Sequence, residues 1–262
     1  MSNPNPMNEQ EPFVTPEPEQ PISDQQSQPD YLTIAQPLPG LVTVAGWVFS
    51  DPYKVGETVK RKSNWWFPFV IGAVIMVITQ LIIWPQMSQM IEKKTRASFA
   101  KQESQMSVDQ QERAIEMALS ASRVSTPLFA ALGIPIMGAF SALVWMLIGN
   151  LIMGGSAKFS HLFAATIWVN LISVSGSVIR LPMQILRDTF EIPLGPAALL
   201  PEGSEGFLHT ILSGLDIIYI WQVVATGIVT AAIYGWSKNK GISVSVGIFA
   251  IFLLIGAGFS EM

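Results

Sequence analysis

The sequence carries five blocks of about twenty mostly apolar residues, and such blocks leave a chain little choice of surroundings. They fall at about residues 66–84, within 127–154, and at about 161–181, 217–236 and 242–259. A bilayer core offers no water to backbone N–H and C=O groups, so each block must satisfy its own as a helix. The expected fold is all-α: a polytopic membrane protein with about five transmembrane helices and a disordered N-terminal tail. Charge agrees with this. Only 13% of the 262 residues are Asp, Glu, Lys or Arg, where a water-soluble domain usually carries about 25%.

Three regions follow. Residues 1–38 hold Pro4, Pro6, Pro12, Pro16, Pro18, Pro21 and Pro29 with Glu9, Glu11, Glu17, Glu19, Asp24 and Asp30. Proline disfavours helix and few apolar side chains offset the entropy of ordering, so a disordered, acidic tail is expected. Residues 39–64 read as an interfacial segment. Trp47, Val48 and Phe49 suit the membrane surface, and Lys54, Lys60, Arg61 and Lys62 suit lipid phosphates. Ser50 or Asp51 ahead of Pro52 predicts a capped helix start. Residues 65–262 form the five-helix membrane domain, with Trp65, Trp66 and Trp84 as interfacial anchors of the first span. The first residues show neither a basic n-region nor an apolar h-region, so that first span is expected to act as the insertion signal.

Between the first two spans, Ser107-Val-Asp-Gln110 matches a capping box and predicts a helix running into span two, kinked at Pro135. The loop at 182–206 is expected to be irregular and exposed. Lys54, Lys60, Arg61, Lys62, Lys158, Lys238 and Lys240 share one side of this topology, which the positive-inside rule makes cytoplasmic together with the N-terminus. Lys93, Lys94, Arg96, Lys101, Arg113 and Arg123 of the first loop oppose that assignment.

Chemistry is sparse. The chain has no cysteine, so disulfides, thiolate metal sites and cysteine nucleophiles are excluded. It has two histidines, His161 and His209, fewer ligands than a zinc site needs. No HExxH, Walker or GxSxG motif occurs, and no basic face for nucleic acid. Neither an enzymatic activity nor a cofactor or metal is expected. Asp216, at the start of span four, has two readings: a proton or ion site paired with Arg180 at the end of span three, or a helix N-cap. Gln80, Asn150, Asn170 and Gln222 can line a polar path or bond helix to helix. Gly227, Ala231 and Gly235 repeat every four residues, a small-residue stripe that serves internal packing or self-association equally well, with Gly256 and Gly258 as similar candidates.

Four stretches resemble the Yip1 family of five-span membrane proteins, its bacterial branch in particular. They are Gly46-Trp-Val-Phe-Ser-Asp-Pro52 followed by Trp65-Trp-Phe-Pro68, Met106-Ser-Val-Asp-Gln-Gln-Glu-Arg-Ala114, Gly154-Gly-Ser-Ala-Lys-Phe159, and Leu215-Asp-Ile-Ile-Tyr-Ile-Trp221 with Gly227. The resemblance covers residues 41–260. It implies a cytoplasmic N-terminus and no catalytic residues. The absent chemistry, the small-residue stripe and the exposed tail lead to the expectation of a non-enzymatic scaffold or adaptor of this type, associating with lipids, with other membrane proteins or with itself, and the closer likeness to bacterial members to the expectation of a bacterial cytoplasmic membrane. A Rab-type GTPase partner is implied only for eukaryotic members. A small transporter or channel built on the intramembrane polar residues is the alternative.

Overall fold

In the computed structural model, residues 37–101, 107–201 and 204–260 are described. The expected tail at 1–36, Met106 of the second motif and Glu202 of the third loop lie outside them. Among the described residues the chain forms ten α-helices and no strand. Two short helices open it, α1 (Leu41–Ser50) and α2 (Pro52–Arg61), divided at Asp51, whose extended φ of −149° suits the residue before a proline. Pro52 does start α2, but no side chain caps it. Asp51 instead pairs with Lys54 at 3.1 Å, and the Ser50 hydroxyl donates back to the Gly46 carbonyl.

Helix α3 (Trp66–Ile82) is the first span, and α4 (Trp84–Lys101) follows at a bend of 68°. Helix α5 (Val108–Met146) starts at the capping box, with Ser107 and Gln110 bonded reciprocally. It continues as one helix through Pro127 and Pro135. The departure from α-helical geometry comes later than Pro135, as a π-helical turn at Leu147–Ile152. Helices α6 (Phe159–Val169) and α7 (Leu171–Leu186) meet at Asn170 and together make the third span. The following loop is more structured than its prolines suggest. It contains a 3-10 turn at Pro196–Leu199, buried Ile192 and Ala197, and then α8 (Phe207–Gly214). Helices α9 (Ile217–Tyr234) and α10 (Lys238–Phe259) complete the bundle. Among the described residues four helical stretches are long and apolar enough to cross a bilayer, or five if the bent pair α3–α4 is counted as one span.

The third span is central: 56% of its most apolar window is buried, against 11% for α10. Trp168 is the largest fully buried side chain, and its indole N–H donates to the Asn64 carbonyl at 2.8 Å. Around it close Val44 and Val48 of α1 and Val55 and Val59 of α2, all essentially inaccessible. The two opening helices therefore pack onto the bundle with one apolar face, leaving Lys54 outward while Lys60 reaches the Ala232 carbonyl of α9.

The small-residue stripe divides by role. Gly227 faces Gly241 of α10 so closely that an added Cβ would lie 2.7 Å from the Gly241 carbonyl oxygen and from Ile242 Cα. Ala231 packs against the same Gly241. Gly235 instead ends α9 in the left-handed region (φ 69°), where Trp236 N–H bonds the Ala231 carbonyl at 2.8 Å and Gly235 N–H the Ala232 carbonyl. Gly256 and Gly258 have open space around them. The Gly154-Gly155 turn is explained in the same terms. Gly154 has φ 68°, and Gly155 lies under the Tyr234 ring while donating to the Gly149 carbonyl of the π-turn at 2.8 Å.

Gly227→Leu is expected to force α9 and α10 apart and lower stability by about 1–3 kcal/mol. Gly247→Ala, in open space, is expected to leave the thermal midpoint of the detergent-solubilised protein unchanged. Equal midpoints for the two variants would contradict the close α9–α10 crossing.

Candidate functional site

The polar residues of spans three and four fall into two stripes at helical spacing. On α7 they are Ser173, Ser177 and Arg180, continuing from Asn170; leading into and along α9 they are Asp216, Tyr219, Gln222 and Thr226. The stripes meet because Gly176 leaves no side chain between them: an added Cβ would lie 2.7 Å from Ile218 Cγ2.

At the end of this seam nearest the α7–α9 connection, Arg180 Nη2 donates to Asp216 Oδ2 at 2.6 Å, and the Leu194 amide donates to the same oxygen at 3.1 Å. Asp216 Oδ1 accepts from the Ile218 amide at 2.8 Å, which caps α9. The pair and the cap are thus one arrangement. Asp216 is buried and Arg180 nearly so, and the guanidinium also lies 5.8 Å from the centre of the Tyr219 ring. Burial alone would raise the Asp216 carboxyl. The Arg180 hydrogen bond, the Ile218 and Leu194 amides and the Arg180 charge outweigh it and hold this group, one residue ahead of the span, below the ordinary carboxylate range.

Deeper in the seam, the Ser173 hydroxyl donates to Gln222 Oε1, and Thr226 donates to the Gln222 carbonyl at 2.7 Å. Beside it opens a cleft of about 260 Å³. Asn170, Ser173, Ser177 and Tyr219 form its polar wall, and Met76, Ile134 and Met137 its apolar one. Asn150 is elsewhere, clamping the turn after the π-helical stretch by exchanging two 3.0 Å bonds with the Ala157 backbone. Gln80 Oε1 is buried with no partner among the described residues. Of the sequence candidates, then, the structure brings Arg180, Asp216 and Gln222 to one seam, with Asn170 on the cleft beside it. Ser173, Ser177 and Tyr219 join them, and only their spacing marks them in the sequence. His161 and His209 stand at opposite ends of the bundle, on α6 and α8, and no three His, Asp or Glu among the described residues are grouped to hold a metal.

The first-span tryptophans lie near opposite ends. Trp65 and Trp66 are exposed at its start, with Trp65 edge-on to Phe163 at 5.4 Å, and Trp84 follows the bend. The start of that span belongs to a basic end. Lys54, Lys60, Arg61, Lys62, Lys158, Lys238 and Lys240 gather there against Asp51 and Glu57. Lys238 lies over the Tyr53 ring at 5.2 Å and Lys240 over Trp236 at 4.7 Å. The opposite end interleaves both signs, as in Arg96 with Glu92 and Glu112, each at 3.0 Å.

Asp216→Asn is expected to strand Arg180 and cost about 3–5 kcal/mol, the usual penalty for breaking a buried pair from one side. Because the folded carboxyl sits below its ordinary value, its contribution is complete above about pH 4 and is lost as pH falls through the folded value. Thermal unfolding of wild type and variant across acidic pH would show the gap closing on acidification; a gap independent of pH would refute the pairing.

The sequence matches the profile of one protein family, described as the Yip1 domain, over residues 47–259. No curated protein and no solved structure matches it.

Proposed function

Because the chain belongs to the Yip1-domain family and is an integral membrane protein, we propose that it is a non-enzymatic scaffold that associates with other membrane proteins or with copies of itself. One observation carries this reading: the α4–α5 arm. Helix α5 has 39 residues, about 58 Å at 1.5 Å per residue, where a bilayer core needs about 30 Å. Its first half pairs with α4 through Arg96 and Glu112, and the two helices bury only a narrow stripe there, including Met87 of α4 and Ile115 of α5. Arg113, Glu116, Met117 and Val124 stay exposed along it. A stiff two-helix arm with mixed charge and scattered apolar side chains suits a protein partner better than water alone. The polar groups in and beside the spans support the same reading, because Asp216 and Arg180 are engaged with each other and the Gln222 side chain with Ser173 of the neighbouring helix. They act as internal fastening, whereas a transporter needs such groups free for cargo.

We place this protein in a bacterial cytoplasmic membrane with its basic end toward the cytoplasm, in keeping with the positive-inside rule. The chain lacks cysteine, so single replacements report without background. Asn239→Cys is expected to be shielded from a membrane-impermeant maleimide in intact cells and Glu205→Cys to be labelled. The reverse pattern would invert the topology.

Crosslinking in native membranes, followed by mild-detergent purification and native mass determination, is expected to recover a discrete homo-oligomer or a reproducible protein partner. The double variant Arg113→Glu, Glu116→Lys is expected to weaken that recovery while leaving the thermal midpoint in place. A lone monomer, or recovery indifferent to the arm, would sink the scaffold.

A further inference from the structure

A pocket of about 330 Å³ opens where the basic end meets the first span. The start of α1, the end of α2 and the start of α3 enclose it, with Trp168 at its base. Three features define its chemistry. Lys62 stands exposed at its rim and makes no ion pair with any described residue, unlike Lys54 and Lys60, which pair with Asp51 and Glu57. Asn64 lines it, held by the bond from Trp168 to its carbonyl, and its side-chain oxygen is buried without a hydrogen-bond partner among the described residues. The remaining walls, from Leu41, Val44 and Trp66, are apolar, and Trp66 is 55% exposed toward the surroundings of the span.

We propose that this pocket binds one anionic phospholipid through its headgroup, of the class whose headgroup also carries a hydroxyl, as phosphatidylglycerol does. The tryptophans at the start of the span set the pocket at headgroup level. The unpaired Lys62, in a field where basic residues outnumber acidic ones, calls for a phosphate and gives an ammonium headgroup no counter-charge. The unused acceptor of Asn64 calls for a donor, which a glycerol headgroup has and a choline lacks. The indole and aliphatic walls take the glycerol backbone and the first part of a chain.

The test uses the full chain in detergent, with native mass spectrometry and thermal unfolding after addition of phosphatidylglycerol, phosphatidylethanolamine or phosphatidylcholine. Phosphatidylglycerol is expected to remain bound at a stoichiometry of one and to raise the thermal midpoint, and the other two to do neither. Lys62→Gln is expected to weaken retention about fivefold, the worth of one lysine near an anionic surface. Lys240→Gln removes the same charge at the same end but outside the pocket and is expected to change little. Equal losses from both variants would mean a diffuse basic surface and overturn the pocket. Equal retention of all three lipids would overturn the headgroup assignment. Excess inorganic phosphate or glycerol phosphate is expected to leave the lipid in place; displacement by either would assign the site to a soluble phosphate instead.

Discussion

The Asp216 carboxylate is the interaction on which the end of the bundle beside the α7–α9 connection depends. Its two oxygens take three donors from three separate parts of the chain: Arg180 from α7, the Leu194 amide from the connecting loop and the Ile218 amide from the first turn of α9. In low-dielectric surroundings each bond is strengthened, and each unpaired group would be costly, so the four partners stand or fall together. The loop is drawn in further by the Ile217 amide, which donates to the Leu194 carbonyl at 3.3 Å. Gly195 is the steric counterpart, since a Cβ there would meet the Leu215 carbonyl oxygen at 2.7 Å. A cap that satisfies one helix terminus thereby becomes the fastening of a 30-residue connection between two spans.

Close backbone approach does at the other end what charge does at this one. Gly227 on Gly241, Gly56 against the Val229–Ala232 stretch, and Gly149 with Gly155 under Tyr234 bring α9 against α10, α2 and the α5–α6 turn. In lipid the apolar exterior gives helices little reason to associate, so contact area and short interhelical bonds must supply it. Such bonds accompany each close approach: Ser245 to the Val223 carbonyl at 2.7 Å, Lys60 to the Ala232 carbonyl at 3.2 Å, Tyr234 to the Trp145 carbonyl at 3.0 Å.

These facts separate what the residues announce from what only packing reveals. Span positions follow from block length and hydropathy, and the Ser107 capping box from a local spacing, so both are legible. The Arg180–Asp216 contact is legible only as one of two readings, because an acid ahead of a helix reads equally as a cap, and the structure shows one carboxylate serving both. The division of the Gly227, Ala231, Gly235 stripe is not, because the partner Gly241 lies in another helix and a left-handed terminator looks identical in sequence to a packing glycine. Nor is the burial of α1 and α2. Val44 and Val48, then Val55 and Val59, each repeat at i, i+4, a pattern that fits a bilayer surface as well as a protein one. The cleft beside the seam escapes for a simpler reason: its walls come from Met76 to Tyr219, four helices whose mutual placement no local pattern states.

The same division of labour decides where a partner can be met. The third span is buried on most sides and Arg180, Asp216 and Gln222 are bonded within the seam, so apart from the cleft of about 260 Å³ the interior offers little polar surface among the described residues. Within the membrane-spanning stretches the outward residues of α5 and α10, such as Ile136, Leu143, Ile251 and Leu254, are apolar and give lipid and protein nearly equal reception. Specific recognition therefore has to come from where water and polar side chains are present. Two such places stand out: the charged arm of α4 and α5 at one end and the basic, tryptophan-rimmed pocket at the other. They differ in kind, since the arm offers a long rigid edge with both signs of charge while the pocket offers a single cation and a single acceptor. On the readings proposed above, a protein partner would use the first and a lipid headgroup the second.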